Sequence, residues 1–190
     1  NAQFCGGSLI APDWVLTAAH CLVDDGEPVD PQSITVLTEA TNLAEGKRFK
    51  VAQVFVNEGY SEITLDNDVG LLRLATPASA KTIRVAEAPA GDAGKTTVIG
   101  WGMVEDGTFP NDLMEAELDL QPNAACNAGI KEIYARDLGM ALRQLSTRMR
   151  YTEDGIAEGT AAIAKYMKGP LTANMICAGI ASGQRDACNG

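Results

Sequence analysis

The chain has 190 residues, 46% of them hydrophobic, which is enough for one domain with a sizeable core or two small packed subdomains and excludes global disorder. Its 25 acidic and 15 basic residues give a net charge of −10, which argues against a nucleic-acid partner because phosphate binding needs a basic face. No apolar run approaches the ~18 residues that span a bilayer, so we expect no membrane partner.

Residue 1 is an asparagine, and the first residues are typical of the middle of a domain, so we expect no signal peptide in this segment. The five cysteines are an odd number, which predicts either one reactive thiol or one bonding partner outside this chain.

Seven short apolar or alternating runs, bounded by turn residues, predict β-strands. They are Gly7–Ile10, Trp14–Ala18, Ile34–Leu37, Phe49–Val56, Val69–Leu74, Thr97–Trp101 and Leu113–Leu120. Strands at this spacing, punctuated by 19 glycines and 8 prolines, favour an antiparallel sandwich or barrel.

The periodicity then changes to that of a helix. Between Ile130 and Met149, apolar residues recur at steps of 3, 1, 4, 4, 3 and 4, which predicts one apolar helix face. These residues are Ile130, Ile133, Tyr134, Leu138, Leu142, Leu145 and Met149. A second, Ala-rich helix is predicted from about Ile156 to Met167, ending before Gly169.

The only histidine, His20, directly precedes Cys21, and a lone histidine is more often structural than catalytic. Its context favours a catalytic role. The segments Cys5-Gly6-Gly7-Ser8-Leu9-Ile10 and Thr17-Ala18-Ala19-His20-Cys21 resemble the trypsin/chymotrypsin family of serine proteases around the catalytic histidine. The resemblance implies that His20 is the general base, beside a disulfide between Cys5 and Cys21.

The resemblance also implies an all-β fold of two packed, antiparallel six-stranded barrels. We expect a single incomplete domain over residues 1–190, with a first barrel at 1–90 and a second at 91–190. A helical insertion of about 127–171 would lie in the second barrel.

A catalytic histidine of this family needs a buried carboxylate to orient it. The segment Asp66-Asn67-Asp68-Val69-Gly70-Leu71-Leu72-Arg73-Leu74 resembles the family's aspartate motif and places this role on Asp68. A cap or turn is the alternative role for Asp68, and Asp66 is read as a solvated turn acid. Val98-Ile99-Gly100-Trp101-Gly102 resembles the strand that opens the second barrel.

The last residues, Arg185-Asp186-Ala187-Cys188-Asn189-Gly190, resemble the approach to the family's nucleophile. If the pattern continued, the serine would be the second residue past Gly190, and Gly190 would donate to the oxyanion hole. Asp186 matches the acid of the primary specificity pocket, which implies cleavage after Arg or Lys, with Ala187 favouring Arg. A surface aspartate paired with Arg185 is the alternative.

The cysteines fit the same resemblance, which implies a pair between Cys126 and Cys177 and leaves Cys188 with its partner missing from this chain. Such bridges imply secretion into an extracellular or periplasmic space. Glu39 resembles one ligand of a family calcium site, but Lys47 and Arg48 oppose a divalent ion, so no metal is expected. The mechanism that the resemblance implies requires no cofactor.

The 50 residues between Cys126 and Cys177 exceed the family's short loop. Residues 130–150 carry a net charge of +3, so their helix is either a surface element packed on the barrel or a binding site for an acidic partner.

The predicted function is a secreted, monomeric serine endopeptidase whose partners are protein substrates with Arg or Lys and a protein inhibitor. The alternative is an inactive homologue or precursor, a zymogen, that binds through the insertion.

Overall fold

The computed structural model describes residues 3–89, 91–104 and 106–180, and over these residues the chain forms antiparallel β-sheets and two helices. The strands are β1 (Ser8–Ala11), β2 (Trp14–Thr17), β3 (Val23–Asp24), β4 (Glu27–Pro28), β5 (Thr35–Thr38), β6 (Lys47–Val56), β7 (Gly70–Leu74), β8 (Lys95–Gly100), β9 (Met114–Gln121) and β10 (Cys177–Gly179). The helices are α1 (Asn123–Met149) and α2 (Glu153–Tyr166). Each of the seven predicted strands is present, with ends within two residues of the prediction.

A curled five-stranded sheet, in the order β1-β2-β7-β6-β5, forms the larger β-structure of the described residues. Strand β6 pairs with β5 through its first half and with β7 through its second half. The register shifts between Val51 and Gln53, so that the inward positions change from Phe49 and Val51 to Val54 and Val56. Such a bulge bends its strand, which explains how one strand serves two differently directed neighbours.

The core inside this sheet is built from alternating apolar residues of its strands together with three residues of the connecting segments, Leu22, Ile34 and Ala78. Its buried members are Val15, Leu22, Ile34, Phe49, Val51, Leu72, Leu74 and Ala78. A second sheet has the order β10-β9-β8, with β8 and β9 paired from Lys95 opposite Asp119 to Gly100 opposite Met114.

The chain divides into two compact units, of which the second is Leu120–Cys177 and the first comprises the residues on either side of it. The predicted division into barrels at residues 90 and 91 stays a prediction, as do the boundaries of the insertion. None of the helices in the described residues is both long enough and apolar enough to cross a membrane.

The second unit is a helical hairpin whose two helices are joined by the three residues 150–152. Arg150 ends α1 in the left-handed conformation, and the Thr152 hydroxyl accepts a hydrogen bond from the Gly155 N–H at the start of α2. Arg143 of α1 forms an ion pair with Glu153 of α2, with Nε and Oε2 3.0 Å apart.

Helix α1 begins seven residues earlier than predicted because side chains of its first two turns form hydrogen bonds with the backbone of residues 171–175, which follow α2. The Asn127 amide forms two hydrogen bonds with the backbone of Leu171, and the Asn123 amide donates to the carbonyls of Thr172 and Met175. These tertiary hydrogen bonds favour helix in a stretch that lacks the apolar periodicity used for the prediction.

Most of the large apolar residues that mark the predicted apolar face of α1 are exposed. Ile133, Tyr134, Leu138, Leu145 and Met149 are all exposed. The buried positions of α1 are instead Ala135 and Gly139, and the Thr160 methyl group of α2 lies against Gly139. Small residues four positions apart share one helix side and let a second helix approach closely.

This contact predicts opposite outcomes for the same substitution at two glycines of α1. A Cβ at Gly139 would already lie 3.4 Å from Thr160, whereas a Cβ at Gly129 meets nothing within 4 Å. Both Gly→Leu changes gain the same helix propensity, so Gly139→Leu should lower the free energy of unfolding by about 1–3 kcal/mol relative to Gly129→Leu. Urea unfolding of the full chain, followed by circular dichroism, measures this difference, and equal stabilities would contradict the packing.

Candidate active site

The pairing of β2 with β7 brings together the residues around His20 and Asp68. Thr17, the last residue of β2, lies opposite Gly70, the first residue of β7, in an antiparallel register. The chain leaving β2 therefore lies beside the chain entering β7. His20 follows in a single 3-10 turn, Ala19–Cys21, and is anchored by the burial of Ala19 before it and Leu22 after it.

Asp68 holds His20 through both of its carboxylate oxygens. The His20 backbone N–H donates to Asp68 Oδ1 at 2.8 Å, and the ring Nδ1 lies 2.7 Å from Asp68 Oδ2. The imidazole is half exposed, with 53% of its side-chain surface accessible, whereas the carboxylate retains 23%. A ring that donates its Nδ1 proton to a carboxylate keeps a lone pair on Nε2, which is the form a general base requires.

The loop that carries Asp68 is fixed by its own hydrogen bonds. Asn67 adopts a positive φ of 54°, and its amide donates to the Gly59 carbonyl at 3.1 Å. The Asp66 side chain accepts from the Asn67 N–H, and the Asp66 carbonyl accepts from the Ser61 N–H. Asp66 is thus a half-buried member of the turn, more enclosed than the solvated acid that the sequence suggested.

The opposite side of the histidine turn is held by a disulfide. The structure pairs Cys5 with Cys21 and, in the helical unit, Cys126 with Cys177, which are the pairs that the resemblance implies. The Thr17 hydroxyl also donates to the Gly6 carbonyl at 2.7 Å, so the segment containing Cys5 is fastened to β2. Cys21 Sγ lies 3.5 Å from His20 Nε2.

Tyr60 is a neighbour of the site that the sequence analysis missed. Partial burial raises the pKa of its phenol, and the negative charge of Asp68, followed by that of Glu62, adds to the rise. Nothing in the spacing of Tyr60 marks it, because it lies eight residues before Asp68 in a loop with no periodic pattern.

Three of the predicted site residues, Asp186, Cys188 and Gly190, lie outside the described residues. The predicted calcium-site position, Glu39, lies within them. The Glu39 carboxylate accepts hydrogen bonds from both the backbone and the hydroxyl of Ser79, at 2.8 Å each, and these bonds lower the pKa of Glu39. The absence of calcium at Glu39 stays a prediction.

The sequence model of the family described as Trypsin matches residues 1–146. The chain belongs to the trypsin family. It is 30% identical to a trypsin of Xenopus laevis over 99% of this chain and 63% of the relative. It is 33% identical to a trypsin of Tyrophagus putrescentiae over 66% of this chain and 47% of the relative. It is also 33% identical to brachyurin of Leptuca pugilator, over 67% of this chain and 58% of the relative.

This trypsin-family chain thus spans between about half and just under two thirds of the curated relatives it matches. Family membership, together with the mostly antiparallel β-structure, confirms the predicted fold class of trypsin-like β-barrels with a helical segment. The family match ends inside α1, and α2 lies beyond it.

The contribution of the Asp68 charge to the raised pKa of Tyr60 predicts a measurable electrostatic coupling. Replacing Asp68 by asparagine removes a negative charge that disfavours the tyrosinate, so Asp68→Asn should lower the pKa of Tyr60 while leaving the contribution of burial in place. A carbon-13 NMR titration of labelled tyrosine rings measures this pKa, with the exposed Tyr166 as the internal control. An unchanged Tyr60 pKa would contradict this coupling.

Proposed function

We propose that this trypsin-family protein is a secreted serine endopeptidase that cleaves peptide bonds after Arg or Lys. The observation that carries the proposal is that Asp68 binds His20 through both carboxylate oxygens. Oδ1 lies 2.8 Å from the His20 backbone nitrogen, and Oδ2 lies 2.7 Å from the ring Nδ1. The two disulfides support an oxidising, extracellular or periplasmic location, where such bridges persist.

In this mechanism, His20 Nε2 removes the proton from the attacking serine hydroxyl. Asp68 keeps the imidazole in the tautomer with its proton on Nδ1 and stabilises the imidazolium that forms. The serine oxygen bonds to the scissile carbonyl carbon, and His20 then passes its proton to the leaving amine. Water, activated by the same histidine, hydrolyses the resulting acyl-enzyme.

The nucleophile of the proposal is a serine at the second position past Gly190. The backbone N–H groups of Gly190 and of that serine would stabilise the oxyanion of the tetrahedral intermediate. This assignment depends on the motif that ends in Gly190 and on family membership.

The proposed specificity depends on Asp186. A carboxylate at the base of a pocket needs a cationic partner, which the Arg or Lys side chain of a substrate supplies. Ala187 contributes no hydroxyl to a Lys ammonium, so we propose a preference for Arg.

Substitutions of Asp68 and His20 test the proposal in the full natural protein. Asp68→Asn should lower kcat toward an arginyl peptide substrate by about 10⁴-fold, because the asparagine amide favours the wrong imidazole tautomer. His20→Ala should be at least as severe. Asp66→Asn is the matched control, since it changes the neighbouring aspartate and keeps an oxygen acceptor for the Asn67 N–H.

A fluorophosphonate probe reports on the nucleophile in the same samples. One covalent adduct in the intact mass of the parent protein, lost in His20→Ala, is the expected result. Equal activity of Asp68→Asn and Asp66→Asn, or faster cleavage after Phe than after Arg, would refute the corresponding part of the proposal.

A second candidate function is an inactive homologue or precursor that binds an acidic partner through α1. The specific observation is that Tyr134, Leu138 and Leu145 of this helix are exposed in a stretch of net charge +3. Exposed apolar side chains among arginines suit an acidic, amphipathic segment of another protein.

Charge reversal on each helix tests this second function with matched changes. Arg148 and Lys165 are the basic residues of the last turns of α1 and α2, so each change to Glu perturbs a helix end equally. Arg148 lies three residues after Leu145 on the same helix side. Arg148→Glu should weaken binding of a labelled glutamate-leucine copolymer about tenfold in fluorescence anisotropy, whereas Lys165→Glu should not. Equal weakening by both would indicate only an effect of net charge.

A further inference from the structure

Three side chains of metal-binding type meet at the histidine turn. The ligand atoms of Cys5, His20 and Cys21 all lie within 4.8 Å of one another, and this is the one such group among the residues that the structure describes. In the present structure the two sulfur atoms are bonded to each other, so neither can act as a thiolate ligand.

The distances suit zinc once the sulfur atoms are freed. Tetrahedral zinc with ligands at about 2.0 Å to nitrogen and 2.3 Å to sulfur requires a nitrogen–sulfur separation of about 3.5 Å. His20 Nε2 and Cys21 Sγ are already 3.5 Å apart. The Cα atoms of Cys5 and Cys21 are 6.3 Å apart, which leaves room for side-chain rotation to open the two sulfur atoms to zinc-bound spacing.

Asp68 supplies the remaining feature of a zinc site. A histidine that binds zinc usually donates its other ring N–H to a carboxylate, which fixes the ring and makes the ligating nitrogen more basic. The 2.7 Å contact between His20 Nδ1 and Asp68 Oδ2 is this arrangement, with Nε2 directed toward Cys21.

We propose that reduction of the Cys5–Cys21 disulfide converts the histidine turn into a zinc site with Cys5, Cys21 and His20 as its protein ligands. A dithiol reductant transfers two electrons and two protons to the protein disulfide and becomes a cyclic disulfide itself. Zinc then displaces the two thiol protons to solvent, and water occupies the fourth position.

Zinc on Nε2 would occupy the lone pair that the proposed general base uses. Reduction together with zinc would therefore switch off proteolysis reversibly. This consequence depends on the proposed function, but metal binding itself does not.

The test uses cobalt as a spectroscopic probe of the same geometry. The full protein is reduced with excess dithiothreitol, freed of reductant without oxygen, and titrated with Co²⁺. The expected result is the visible spectrum of tetrahedral cobalt with a thiolate charge-transfer band, which zinc abolishes by displacement. The oxidised protein should show neither the visible spectrum of tetrahedral cobalt nor the charge-transfer band.

Variants separate this site from the other cysteines. Cys126→Ser/Cys177→Ser and Cys188→Ser should retain the spectrum, whereas Cys5→Ser and His20→Ala should lose it. Asp68→Asn should weaken cobalt binding about 10–100-fold, with Asp66→Asn as the matched control. Because the readout is an absorption spectrum, it is independent of whether the protein cleaves peptides.

The proposal fails if reduced, folded protein gives no tetrahedral spectrum, or if the spectrum persists in Cys5→Ser or His20→Ala. Circular dichroism monitors folding in every sample. If reduction unfolds the protein, zinc should restore the native spectrum in Cys126→Ser/Cys177→Ser, and failure to do so also overturns the proposal.

Discussion

The register between β2 and β7 is the constraint on which the site depends. With Thr17 opposite Gly70, the turn after β2 and the loop before β7 emerge side by side, and the His20–Asp68 hydrogen bonds can form across 48 positions of sequence. A slip by one residue would turn every side chain of β7 to the opposite face and expose Leu72 and Leu74. The core that buries these leucines therefore also fixes the distance between the imidazole and the carboxylate.

Gly70 makes this register compatible with the histidine turn. A Cβ at this position would lie 2.6 Å from the Leu22 side chain and 3.1 Å from the Phe55 carbonyl. Leu22 is almost completely buried directly after the turn that carries His20. Any side chain at position 70 would displace Leu22 or the neighbouring strand β6, and the displacement would reach His20 through two peptide units. The absence of a side chain at the first position of β7 is thus part of how the site is positioned.

The sequence predicted what local patterns determine and missed what tertiary contacts determine. The strands were predictable because alternating or β-branched runs end at turn residues, and His20 and Asp68 were predictable because their flanking motifs are specific. The start of α1 was not, because Asn123 and Asn127 join the helix through hydrogen bonds to a segment more than 40 residues away. The buried side of α1 was also missed, because the predicted face was defined by large apolar residues only, and Ala135 and Gly139 are small. Tyr60 carries no local signal at all.

The histidine turn is held from two sides by chemically different bonds, and this difference matters for its behaviour. Asp68 fixes the turn through hydrogen bonds that depend on its charge, while Cys5 fixes it through a covalent bond that depends on redox state. Loss of the disulfide removes only one of these constraints, since the backbone N–H of His20 still donates to Asp68 and Leu22 remains anchored in the core. The imidazole can thus keep its tautomer and orientation while the sulfur atoms beside it change from a cross-link to potential ligands. Such a turn retains the geometry that a general base needs at Nε2 and, with its sulfur atoms reduced, also offers Nε2 as a zinc ligand.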